Sequence, residues 1–158
     1  MPEPTEYQLL ANLRDALQQI TVAHGYHFDV ASAAVKLDPN CNVESLIAPG
    51  GARPFIVLEV KPDSWQFSPA NRAEIVLPVT IHWVSDSTPT DDTSRMLTFF
   101  RGCADVERAI AVDVGRGGFA KDTQIVQRSY ETALDGAQVW AKVDVNLPLR
   151  RVYGQPDA

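Results

Sequence analysis

Cysteine is scarce: 158 residues hold only Cys41 and Cys103, at no paired spacing. A chain of this length builds a sufficient core without covalent staples, so both read as free thiols in a reducing cytoplasm. No run approaches the roughly 20 uninterrupted apolar residues that a membrane helix needs. The first seven residues carry two acids and two prolines where an export leader would be basic and then apolar. The chain therefore reads as soluble and unexported, with no membrane partner. Positive charge is also in deficit, with 14 Lys and Arg against 20 Asp and Glu and a net charge of −6. Such a balance repels phosphate backbones, and sequence-specific nucleic-acid binding is not expected.

Signatures of chemistry are equally sparse. No serine stands in a Gly-x-Ser-x-Gly elbow, and neither cysteine is flanked by a thiolate-enzyme motif. Gly115-Arg116-Gly117-Gly118 has a phosphate-loop look but follows a helical pattern and lacks the Gly-Lys-Ser/Thr ending, so it reads as a helix stop and loop. His24 and His27 have the spacing of a ligand pair, yet Gly25 breaks the helix between them and no further ligand stands near; they read as a helix-to-strand corner. His82 alternates onto the polar side of a strand and reads as a surface histidine. Asp91-Asp92 reads as a helix start, since acids favour the positive end of the helix dipole. No cofactor, metal or catalytic residue is expected, and the chain does not read as an enzyme.

What is present is globular: 45% hydrophobic and 22% charged residues, enough for one domain over residues 1–158 with a frayed tail from about 154. Thr5-x-x-Gln8 has the form of a capping box. Leu9, Leu10, Leu13, Ala16, Leu17 and Ile20 then recur at steps of three and four, predicting a helix to about His24 with Gly25 as its stop. Residues 26–37 alternate loosely and predict a first strand. Residues 38–53 and 61–72 read as long loops, the first with Leu46-Ile47 and the second with Trp65 and Phe67 between prolines.

Residues 55–60 are apolar on both faces, predicting a strand covered on both sides after Pro54. Ile75, Leu77, Val79, Ile81 and Trp83 alternate through the longest strand, in which Pro78 predicts an edge position or a bulge. Met96, Leu97, Phe99, Phe100, Cys103, Ala104, Val106, Ile110 and Ala111 form a broad apolar helix face over residues 93–112, with Cys103 in the core and Cys41 accessible.

A type I′ turn at Asp135-Gly136 would pair Leu134 with Ala137, Thr132 with Val139, Tyr130 with Ala141, Arg128 with Val143 and Val126 with Val145. That register gathers Val126, Tyr130, Val139, Ala141, Val143 and Val145 on one face. Gln127, Ser129, Glu131, Trp140, Lys142, Asp144 and Asn146 share the other. Arg128 alone violates the apolar side, and its stem is long enough to pass over the core to solvent. The predicted fold is α+β, a mainly antiparallel four- to five-stranded sheet with two helices packed on one face.

The opening helix 9–20, the strand 54–60 with its looped exit, the long strand 73–83, the helix 93–112 and the closing hairpin through Val143-Asp144-Val145-Asn146-Leu147 form one pattern. It resembles the tail terminator, or tail-completion, proteins of long-tailed bacteriophages and related tail-like particles. The resemblance spans nearly the whole chain. It implies a virion structural protein that forms a hexameric ring at the head-proximal end of the tail, caps the tail tube, stops its polymerisation and offers a surface to the head connector. The implied partners are copies of itself, the tail tube protein and the head connector protein, in the virion and, during assembly, in the host cytoplasm. Aromatics flanked by polar residues are characteristic interface anchors, so Trp65 and Phe67, with Arg72, are the expected inter-subunit contacts, and Trp140 on the polar hairpin face adds to them. The competing reading of the same residues is a small-ligand-binding or enzymatic α+β domain with a pocket between helices and sheet, using His27 or His82.

Overall fold

The computed structural model describes residues 4–39, 53–61, 64–68, 72–86, 91–113, 115–118, 120–133 and 138–152. The chain begins with helix α1 (Thr5–Leu17), followed by two short 3-10 turns and strands β1 (Val35–Leu37), β2 (Phe55–Val60), β3 (Ser64–Ser68) and β4 (Arg72–Asp86). Helix α2 (Asp92–Ala111), a third 3-10 turn at Arg116–Gly118, and strands β5 (Gln124–Ala133) and β6 (Gln138–Val152) complete it. The sheet runs β1-β2-β4-β6-β5, with β3 also on β4; every pairing is antiparallel except the parallel β1 and β2. The expected α+β class holds.

Alternation in β4 and β6 sorts the core. Ala73, Ile75, Leu77, Val79, Ile81 and Trp83 on β4, and Val139, Ala141, Val143, Val145, Leu147 and Leu149 on β6, are buried in one cluster with Leu9, Leu13 and Leu17 of α1 and Phe99, Cys103, Val106 and Ile110 of α2. Both helices therefore cover the same face. β2 is covered on both sides as expected: Ile56 and Leu58 join that core, while Val57 packs with Val84 and Trp140 on the opposite face.

Several expectations are corrected. α1 stops at Leu17, seven residues before His24, because Gln19 N–H and Ile20 N–H close tighter bonds to Ala16 and Leu17 carbonyls. Gly25, at φ 88°, ends the following 3-10 turn instead of the helix. Thr5 is not a capping residue: the cap position is Pro4, with no side-chain cap bond. The strand expected over 26–37 shrinks to Val35–Leu37, since the amides before it are taken elsewhere: those of His27 and Phe28 by the Asp105 carboxylate, and that of Val30 by the Ile20 carbonyl. The loop expected over 61–72 contains β3, and Arg72 begins β4.

Pro78 lies inside β4, an interior strand and neither an edge nor a bulge. Its carbonyl accepts from Lys61 N–H, in the gap where β2 has ended and β3 has not begun. The donor that proline lacks would face that gap, so no ladder bond is lost. Pro148 in β6 uses the same device: its carbonyl accepts from Lys121 N–H just before β5 starts.

The hairpin register holds at Arg128 with Val143, Tyr130 with Ala141 and Thr132 with Val139. A bulge between Ile125 and Gln127 then places Ile125, not Val126, opposite Val145, and leaves Val126 57% exposed. Arg128 passes to the surface as expected, pairing with Glu107 at 3.1 Å. The turn at 134–137 and the loop residues 40–52, including Cys41 and Leu46-Ile47, lie outside the described residues, as does the tail from 153. On α2 the buried stripe is narrower than expected: Phe99, Cys103, Val106 and Ile110 are buried, whereas Met96, Leu97, Phe100, Ala104 and Ala111 are exposed beside it.

Candidate functional site

The sheet face turned away from the helices carries the polar chemistry. Adjacent positions there are Val57 and Glu59 on β2, Thr80 and His82 on β4, Trp140, Lys142 and Asp144 on β6, and Gln127, Ser129 and Glu131 on β5, aligned by the pairing register. Glu59, Lys61, Thr80, His82, Gln127, Ser129, Lys142 and Asp144 line an open concavity of about 240 Å³.

His82 is the centre of this arrangement. It faces the side predicted by alternation, but it is buried, 4% exposed, and is not the surface histidine expected. The register puts Glu59 and Trp140 on two diagonals of His82, within reach of long side chains. Trp140 Nε1–H donates to His82 Nδ1 at 3.0 Å, and His82 Nε2 lies 3.1 Å from Glu59 Oε1. Indole nitrogen only donates, so Nδ1 holds the lone pair and Nε2 carries the proton that Glu59 accepts. Burial pushes the imidazole below its ordinary value, against the opposing pull of Glu59. For Glu59, burial acts upward, but the hydrogen bonds from Lys61 and His82 prevail and hold the carboxyl below the usual range.

The remaining groups also satisfy one another. Lys61 Nζ meets Glu59 at 2.8 Å and Lys142 Nζ meets Glu131 at 3.5 Å. Thr80 Oγ1–H donates to Asp144 at 2.7 Å, and Gln127 Nε2 donates to the other Asp144 oxygen at 2.9 Å. Lys142 Nζ also lies 4.7 Å from the Trp140 ring centre. Trp140 is buried, 6% exposed, and not the exposed anchor that the hairpin pattern predicts; Val57, Val84 and Phe55 pack around it. Further along the face, Glu74 accepts from Lys121 and Arg150 at 2.6 and 2.8 Å, bonds that hold its carboxyl below the usual range.

With both ring nitrogens engaged, His82 has no free lone pair with which to take a substrate proton. His24 and His27 are exposed; His24 Nδ1 lies 2.8 Å from the Gln19 carbonyl oxygen, and His27 offers only its backbone N–H, to Asp105. Among the described residues no three His, Cys, Asp or Glu side chains gather at a spacing that would hold a metal ion. Cys103 lies in the core, where burial pushes its thiol up to about 11. No described helix is long and apolar enough to cross a membrane.

Of the expected contact residues, Trp65 and Phe67 fall on β3, opposite Ile75 and Ala73, and Arg72 opens β4 opposite Ser68 and Val152. Backbone pairing thus brings the three onto one strand pair. Glu59 and the Trp140–His82 bond escaped sequence reading, although alternation had already put His82, Trp140, Lys142 and Asp144 on polar faces. What was missing was the lateral order of the strands.

No family model matches the chain, and no curated protein matches it. Among solved structures, a chain of one titled "Virion of native gene transfer agent (GTA) particle" is similar over 89% of this chain and 93% of its own, at 11% sequence identity and a TM-score of 0.46.

Proposed function

We propose that the chain is a virion structural protein: a tail terminator that caps the head-proximal end of the tail tube as a hexameric ring and joins tail to head. The observation that supports this most is the order of elements. An opening helix, a strand at Phe55–Val60, a long strand at Arg72–Asp86, a helix at Asp92–Ala111 and a closing hairpin follow one another in the order on which the resemblance rests. The open face fits the same reading, because its charged and polar side chains are bonded to each other, as in a surface that works by shape. A head-to-tail contact that closes on itself turns such a small domain into a ring. Trp65, Phe67 and Arg72 are the proposed inter-subunit contacts, and no step of chemistry is required.

The ligand-binding alternative called for a pocket between helices and sheet, but the concavity that includes His82 lies on the opposite face. Electron microscopy of the purified protein mixed with tail tubes tests the proposal. Rings seated on one tube end support it; bare tubes beside a monomer that binds a small molecule overturn it. Trp65→Ala should leave the thermal melt largely unchanged while abolishing ring contacts. Unfolding of that variant would remove Trp65 from the interface.

A further inference from the structure

The Trp140–His82–Glu59 chain carries a consequence independent of the tail-terminator reading. We propose that His82 and Trp140 form an acid-released latch on the open sheet face, in which protonation of His82 drives Trp140 off and loosens the junction of β2, β4 and β6.

In the neutral ring, Nδ1 accepts from Trp140 at 3.0 Å and Nε2–H donates to Glu59 at 3.1 Å, so both nitrogens are satisfied. Imidazolium carries a proton on each nitrogen. Nδ1–H and the Trp140 Nε1–H would then confront each other with no acceptor between them. Both side chains are buried, so two donors facing each other across this contact carry a penalty that is relieved when one ring moves away. The ring that must move is the centre of the packing of Phe55, Val57 and Val84, which spans β2 and β4.

Charges around His82 come from three strands and the residue after β2. Glu59 on β2 would hold the imidazolium through Nε2, whereas Lys61 beyond β2 and Lys142 on β6 oppose it. Asp144 on β6 is engaged by Thr80 and Gln127, and Glu131 on β5 by Lys142. Burial is the largest influence, so the latch opens below the ordinary imidazole value of 6.5.

The test is an NMR titration of the indole N–H signals of the full chain, with the Trp140 signal assigned by its loss in Trp140→Phe. The expected result is a one-proton shift of the Trp140 signal below pH 6.5, with the Trp83 indole unmoved. His82→Gln, whose amide can accept from Trp140 and donate to Glu59 without titrating, should hold the Trp140 signal constant. A Trp140 signal that stays still until circular dichroism reports unfolding overturns the latch, as does the same titration curve in His82→Gln. Should His82→Gln fail to fold, the His82 ring is followed in Trp140→Phe. With no facing donor, its titration should move up by about half a pH unit or more, and an unchanged midpoint overturns the proposal.

Discussion

The backbone of Gly102 rests directly on the indole of Trp83: a Cβ at Gly102 would lie 2.7 Å from three ring carbons. Trp83 cannot easily give way, because its side chain is fully buried and its ring is stacked at a tilt against Phe28, 5.1 Å between centres. This contact sets how close α2 comes to the sheet. Gly102→Ala should therefore destabilise the protein by about 1–2 kcal/mol, the overpacking cost exceeding the helix-propensity gain of about 1 kcal/mol. Chemical denaturation measures it, and a double-mutant cycle with Trp83→Phe should show the Ala cost shrinking as the ring does. An additive cycle would mean that the two residues do not constrain each other.

Asp105 is 1% exposed, and its carboxylate accepts from His27 N–H at 2.9 Å and from Phe28 N–H at 3.0 Å. It pins the segment between α1 and β1 to α2, helped by Arg108 Nη1, which donates to the Gly25 carbonyl at 2.5 Å. Asp105→Ala should cost about 2–3 kcal/mol, because two amides lose a charged acceptor. Amide exchange at His27 and Phe28 should accelerate more than the global loss of stability accounts for. Exchange rising uniformly across the chain would contradict a local anchoring role.

Stability should fall on acidification in two stages. His82 lies below its ordinary 6.5 in the folded state, so between the two values the unfolded chain binds more protons. Its contribution is complete above pH 6.5 and is lost as pH falls through the folded value. Glu59 is also held below its ordinary 4.5, so its contribution persists above pH 4.5 and disappears beneath it. Urea midpoints measured across this range should decline in both stages in the wild type. In His82→Gln the upper stage should vanish while the lower one weakens but remains.

Asp91 caps α2 through its carboxylate, which accepts from Ser94 N–H at 3.0 Å, and Asp92 pairs with Arg95. Asp91→Ala should cost about 1 kcal/mol and Asp91→Ser considerably less, since serine retains a capping oxygen. Thermal melts of the two variants give the comparison.

Cys103 should resist thiol reagents in the native state, its thiol being buried and pushed up to about 11. In native protein at pH 8 Cys103 should remain unlabelled, reacting only on unfolding. Rapid native labelling of Cys103, read by peptide mass spectrometry, would show that α2 opens from the sheet.

Local pattern carried much of the fold. The helix expected over 93–112 from an acidic start and a glycine-rich stop is α2 to within one residue at each end, and the β6 faces were legible from strict alternation. The Arg128-to-Val143 register followed from turn chemistry alone. Such features need only a few consecutive residues, because capping, dipole and pleat act over one or two turns or strand repeats. The open-face polar positions were visible in the same way, residue by residue, but not as neighbours.

Sequence by itself determined the class of the fold, the two helices, the long strands and which side chains on β4 and β6 turn inward. Tertiary structure alone decided that residues 26–34 give up their strand, that Pro78 sits harmlessly between two partners of β4, and that Glu59, His82 and Trp140 form one bonded chain. The reason is physical: hydrogen-bond partners 58 and 78 residues apart are chosen by the lateral order of strands and by the descent of α2 onto the sheet. Neither leaves a local periodicity to read.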